Sequence, residues 1–221
     1  MVIKGGFNMN EPARKANRIK FKTIMKNLEK RNMEGYYCDT AAEACEKAMT
    51  LIREGSSVSW GGSVTIREIG LINMLESRDL KLTDAFRPPS PDAAYEHFRQ
   101  TLLADYFLMS TNAITLDGKL VNIDGTGNRM AAFILGPKEV LVFAGANKVV
   151  ESEKDAVARI KAHACPSNAV RLNREKTPCV VTGKCAECLM QECMCCHTVI
   201  TRFSRMPGRI KVLLINENLG F

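Results

Sequence analysis

Apolar positions along this chain recur at two periods, and the two alternate through its first two thirds. Ile19, Phe21, Ile24, Met25 and Leu28 follow mostly helical spacing inside the basic run Arg14–Arg31, so the pattern predicts an amphipathic helix. Asn10 is suited to cap that helix, with Glu11 and Pro12 in its first turn, and the helix is expected to span 10–33. Gly35–Cys38 then looks like a short strand. Ala41–Arg53 follows as a helix, capped by Asp39 or Thr40 and ended by Gly55, and Ser57–Trp60 as a strand. Ile66–Leu75 is predicted helical and Leu80–Asp84 a short strand, while the prolines of Arg87–Pro91 make a stiff loop. Asp92–Leu103 has helical spacing, and Tyr106–Met109 is a buried strand.

Two short apolar runs come next, Ala113–Leu116 and Leu120–Ile123, on either side of Asp117-Gly118. That pair suits the positive φ angles of a tight hairpin turn. A second turn at Asp124-Gly125 leads to a helix over Met130–Leu135, and Glu139–Ala144 is a strand, apolar from Val140 on, of the kind buried on both faces. Ser152 caps a helix over Glu153–Ala162, Pro166 is expected to interrupt it, and a second helix runs over Ser167–Leu172. Arg209–Asn216 is the closing strand, and residues 1–9 are expected to be loosely held. Helices alternating with apolar strands predict an α/β fold, a mainly parallel sheet flanked by helices, in a single domain over 1–221. Ser57–Trp60, Tyr106–Met109, Glu139–Ala144 and Lys211–Ile215 are the expected central strands.

Polar loops follow three of these strands: Gly61–Thr65, Thr111–Arg129 and Gly145–Lys148. Ligands of open α/β sheets bind outside the carboxyl ends of strands, so the three loops are expected to form one pocket. Gly61, Gly62, Ser63 and Thr65 make a strand–glycine loop–helix unit suited to an anion, and Gly125, Gly127 and Asn128 lead into a helix N-terminus with the same preference. Arg129 and Lys148, taken as cations open to the pocket, would fix the anion. Asn112, Asn122, Asn128 and Asn147 would orient it. Asp117, Asp124 and Glu68 are the candidate general bases, although turn chemistry alone also accounts for both aspartates. The histidines lie far apart, and no Ser-His-Asp or Cys-His arrangement can be read.

Composition narrows the class. Of 221 residues, 46% are hydrophobic and 25% charged, as in ordinary globular proteins. No apolar run approaches the roughly 20 residues that cross a bilayer, and the first residues lack a secretory core, so a cytoplasmic protein without a membrane span is expected. The net charge of +7 is concentrated in Arg14–Arg31. No helix-turn-helix, zinc-finger or aromatic RNA-binding signature accompanies it, so nucleic acid is not the expected partner. A basic face that attracts a small anionic ligand, or covers the interface of a homo-oligomer, is.

Six of the nine cysteines lie between Cys179 and Cys196, while Cys38, Cys45 and Cys165 sit in apolar segments as ordinary buried thiols. Without a secretion signal, such clustering argues for metal rather than disulfides. Cys185 and Cys188 form C-x-x-C, whose sulfurs can share one centre, either zinc or an iron–sulfur cluster.

The segments Ser57–Leu71 (SVSWGGSVTIREIGL), Ser110–Ala132 (STNAITLDGKLVNIDGTGNRMAA), Gly136–Val150 (GPKEVLVFAGANKVV) and Gly208–Phe221 (GRIKVLLINENLGF) resemble, in order, the LUD domain of the lactate-utilisation family. The resemblance implies a Rossmann-like fold similar to the ribose-phosphate isomerase and CoA-transferase superfamily. It further implies a ligand-binding or redox role in the use of lactate-type organic acids, with iron–sulfur redox proteins as partners. The wider superfamily implies an alternative, a sugar-phosphate isomerase or CoA-transferase-like enzyme with structural zinc. Some chains of the family carry a tail similar to C-x5-C-x2-C-x6-C. Here that tail selects Cys179, Cys185, Cys188 and Cys195, with Cys193, Cys196 and His197 as extras. The redox setting of the family, and the lack of a paired C-x-x-C…C-x-x-C, favour iron–sulfur over zinc.

Overall fold

The structure, a computed structural model, describes residues 9–90 and 92–221. The expectation of a loose N-terminal stretch falls mainly on residues outside that range, as does Pro91 of the stiff loop. In chain order the elements are α1 (Glu11–Glu29), β1 (Glu34–Cys38), α2 (Ala41–Leu51), β2 (Ser57–Trp60), α3 (Val64–Glu68), α4 (Leu71–Glu76), β3 (Lys81–Asp84) and α5 (Ala94–Thr101). There follow β4 (Tyr106–Ser110), β5 (Ala113–Thr115), β6 (Leu120–Asp124), α6 (Asn128–Ile134), β7 (Glu139–Gly145) and β8 (Val149–Val150). The last are α7 (Glu153–Arg159), α8 (Cys165–Arg171), α9 (Pro178–Thr182), β9 (His197–Thr201) and β10 (Ile210–Ile215).

Six strands form an all-parallel sheet in the order β1-β10-β7-β4-β2-β3. The central strands expected from the apolar runs are all in it. Alternate side chains feed opposite faces: Tyr106 and Leu108 of β4 join one core with α2, while Phe107 and Met109 join another with α1. Helix α1 packs through Phe21, Ile24 and Leu28, each fully buried, at helical spacing. Asn10 caps it by accepting the Ala13 N–H. Ile19 lies off that stripe and is exposed.

A smaller sheet, β8-β5-β6-β9, grows from the carboxyl end of the first, because β5 follows β4 and β8 follows β7 directly. Its β5–β6 hairpin turns at Asp117-Gly118, with Gly118 at φ 85°. A third core, between this sheet and α7–α8, contains Ala113, Val121, Ile123, Ala156, Ile160 and Cys165.

Three expectations change. The helix after β2 is broken in two at Gly70, whose φ of 77° no right-handed helix accepts. Pro166 does not interrupt the later helix: α7 runs on into α8 through a π turn at Ile160–Ala164. The altered hydrogen-bond spacing there accommodates the proline's missing N–H. Strand β9 was not anticipated, since it begins at His197 on the border of the cysteine segment and pairs antiparallel with β6.

Candidate functional site

The chain steps outward from β2 to β3, returns to β4, and then proceeds the other way through β7 to β10. The strand order therefore reverses beside β2 and β4, where parallel sheets open a crevice at their carboxyl ends. A cleft of about 480 Å³ lies there, lined by Gly62, Ser63, Thr65, Ser110, Asn112, Asp124, Gly125, Asn128, Arg129 and Lys148 among others. The three polar loops meet, as their positions after strands predict.

Two arginines hold those loops together. Arg129 donates from Nη1 to the Ser110 carbonyl and Asn122 Oδ1, and from Nη2 to Asn112 Oδ1 and the Ile123 carbonyl, at 2.8–3.1 Å. Its Nε lies 3.5 Å from Asp124 Oδ2. Burial lowers its pKa, against the pull of Asp124. Arg159 of α7 donates to the carbonyls of Asn147 and Asn112, at 2.7 and 2.8 Å. Asn122 is wholly buried behind the cleft. Its Oδ1 accepts from the Asn112 N–H as well as from Arg129, and its Nδ2 has no partner among the described residues.

Lys148 departs from its expected role as an open cation. It is only 3% exposed, and its Nζ donates to Thr65 Oγ1 at 3.1 Å and Ser110 Oγ at 3.0 Å. Burial pushes its pKa down to about 7, helped by Arg159 and Arg129 and opposed by Glu68. The strand-ending 3-10 turn Ala146–Lys148 carries it inward beneath the tail. There Asn147 pins Leu219 and Gly220 through two hydrogen bonds.

The remaining expected site residues divide. Asp124 lines the cleft, but its oxygens accept the Gly125 and Met130 N–H groups besides facing Arg129. Gly61 and Gly127 do not line the cleft, and Gly127 takes φ 85° at the start of α6. Glu68 accepts the Gly220 N–H at 2.6 Å. Asp117 lies outside the cleft, at the hairpin turn, where it pairs with Arg31 and Lys119 at 2.9 and 3.1 Å. Arg171 and Arg174 also line the cleft. Nothing in the sequence singled them out, because a cation at a helix end is ordinary surface chemistry.

A second cavity, about 240 Å³, adjoins the first and is lined by Cys165, Cys179, Cys185, Cys188, Cys193 and Cys195. All four cysteines that the family-like tail selects face it. Cys165 is buried, as an ordinary buried thiol would be, and its sulfur lies 3.2 Å from that of Cys195. Helix α8 supplies it from a distance of 30 positions, which local spacing does not reveal. The hydrogen bond with Cys165 and burial both raise the Cys195 pKa. Cys196 faces the polar cleft instead. Among the described residues, no three His, Cys, Asp or Glu side chains are close enough to share a metal ion as the segment stands. No helix among them is long and apolar enough to cross a membrane.

Among solved structures, the chain is similar to a DUF162 family protein from Deinococcus radiodurans, at 12% identity and TM-score 0.48, over 91% of this chain and 96% of that one. Ribose 5 phosphate isomerase A from Neisseria gonorrhoeae is 15% identical with TM-score 0.35, over 52% of this chain and 56% of that one. eIF2B delta from Chaetomium thermophilum is 17% identical with TM-score 0.34, over 52% and 49%. No curated protein matches the chain. The LUD domain matches residues 21–215, nearly the whole described fold, and the chain belongs to the LUD domain family.

Proposed function

We propose that this protein is a redox component in the use of small organic acids, binding a lactate-type anion in the polar cleft beside a thiolate-held metal centre. The observation that carries this reading is a shared wall: Ile123, Cys193 and Met194 line both the cleft and the thiol cavity. An anion and a redox centre on the two sides of one residue layer are close enough for electrons to pass. Arg171 and Arg174 supply positive charge at the cleft, and Gly62, Ser63 and Thr65 border it.

The donor set fits such a centre, because soft thiolates select zinc or iron–sulfur over hard cations. Cys179, Cys185, Cys188 and Cys195 would hold it, and Cys165 and Cys193 border the same space. Ligation requires the sulfurs to draw closer. The segment suits that movement, since Lys184–Met190 has neither helix nor strand and Leu189 is fully exposed. An iron–sulfur cluster would give the protein a one-electron store. The isomerase alternative is weaker on this geometry, because Asp124 is the only acidic residue among the described lining of the cleft and its oxygens are occupied.

The test is metal and sulfide analysis of anaerobically purified protein, with an absorption spectrum. Iron and acid-labile sulfide, with absorbance that bleaches reversibly on reduction, is the expected result. Stoichiometric zinc would make the centre structural and remove the redox role, and protein with neither metal would remove both.

A further inference from the structure

Lys148 is the one lysine that is buried among the described residues. It sits at the base of the polar cleft, almost fully buried, and the acceptors it touches are uncharged hydroxyls rather than a carboxylate. A buried ammonium without a paired anion is costly. Were its work only to tie Thr65 to Ser110, an uncharged donor would do it more cheaply. As a neutral amine, its two hydrogens go to those hydroxyls and its lone pair remains uncommitted. The charged groups around it are Arg159 and Arg129, which oppose its proton, and Glu68, which favours it. Burial beside other cations is how proteins keep a lysine nucleophilic near neutral pH.

We propose that Lys148 is a nucleophilic amine that forms an imine with a small carbonyl compound carrying an anionic group. Arg171 and Arg174 are the cations for that group. Arg129 and Arg159 are taken up with backbone and asparagine oxygens, whereas the Arg171 side chain, among the described residues, donates only to Asn168 Oδ1. The proposal rests on the anion-cleft part of the function above and makes no use of the cysteine cavity. The unprotonated Nζ adds to the carbonyl carbon while the carbonyl oxygen takes up a proton. The nitrogen, cationic after the addition, releases one of its protons; the resulting carbinolamine takes a second proton on its hydroxyl and loses water, and the amine, the carbonyl compound and one net proton become a protonated imine and one water. No electrons are gained or lost. The Thr65 and Ser110 hydroxyls are within reach to pass protons at the nitrogen.

The experiment exposes the full chain to cyanoborohydride with pyruvate, with dihydroxyacetone phosphate, or with neutral acetone, and locates adducts by peptide mass spectrometry. The expected result is a reduced adduct confined to Lys148 with one of the anionic carbonyls. It should form about tenfold faster than with acetone, as befits one ion pair, and Arg171→Gln should erase most of that advantage. The better of the two arms tells a carboxylate from a phosphate. The labelling rate should level off just above neutral pH, while that of surface lysines still climbs. Lys148→Arg and Lys148→Met should both lose the adduct with the circular dichroism spectrum unchanged. Absence of any Lys148 adduct, or labelling no faster than at the surface lysines, would overturn the proposal. Metal content does not enter this readout, so its failure and that of the metal centre are separate results.

Discussion

The sulfurs of Cys165 and Cys195 are 3.2 Å apart, one on helix α8 and the other just ahead of β9. This pair brackets 30 positions that include Cys179, Cys185, Cys188 and Cys193. If metal keeps Cys195 engaged, removing it should free the pair. Chelation followed by air exposure is expected to yield a Cys165–Cys195 disulfide before any other, found by non-reducing peptide mapping. Raised thiol pKa slows the reaction at neutral pH, since the thiolate is the reactive form, so alkaline buffer should hasten it. A different first bridge would show that the cavity rearranges when emptied.

The segment Thr177–Thr198 has little means of ordering itself by burial. Its one helix spans Pro178–Thr182 and contributes no buried residue. Holding a backbone costs ~1–2 kcal/mol per residue, and metal binding free energy becomes folding free energy where ligands converge. Cys185→Ser and Cys188→Ser should therefore release metal and open this segment to proteolysis, leaving the main sheet intact. Metal analysis and limited digestion check both. Full metal retention in either variant would move the ligand set to Cys193 and Cys165.

Lys148 gives stability a defined pH dependence. Its pKa is 10.5 in an unfolded chain and about 7 in the fold, lowered first by burial. Below pH 7 both states carry the proton, and the folded protein bears the full cost of a buried charge. Between about 7 and 10.5 the unfolded chain binds a proton that the folded one has released, so this group makes stability rise with pH through that window. Lys148→Met should be more stable than the native protein at pH 6, by roughly 1–4 kcal/mol. That difference should shrink as pH approaches 10, in denaturant titrations. A constant difference would mean that Lys148 titrates normally.

Gly118 joins the hairpin to helix α1. Its φ is 85°, and a Cβ there would meet the backbone of Asn27 and Leu28 at 3.2 Å. Asn27 and Arg31 of this region donate to the carbonyls of Leu116 and Asp117. Gly118→Ala should therefore cost about 1–3 kcal/mol from left-handed backbone strain and the helix displaced. Thermal unfolding measures the loss. A neutral result would mean that the hairpin can lift off α1 freely.

The sequence by itself determined the sheet, because a strand buried on both faces must be apolar throughout and Val140–Ala144 and Tyr106–Met109 are. It determined the hairpin too, since Asp117-Gly118 supplies the positive φ that such a turn demands. The polar loops after strands marked the cleft, as parallel sheets expose ligands at that end. What only the tertiary structure decided is the character of each group there. Charge and spacing do not tell whether Lys148 is open to water or buried at the base of the cleft beside Gly220. They do not tell that Asp117 turns away toward Arg31 while Arg171 turns in. Nor do they join Cys165 to cysteines 30 positions on. Those facts depend on which strands become neighbours and how a helix is rotated against a sheet. The summed packing of the whole chain sets both, and no local stretch of sequence records that sum.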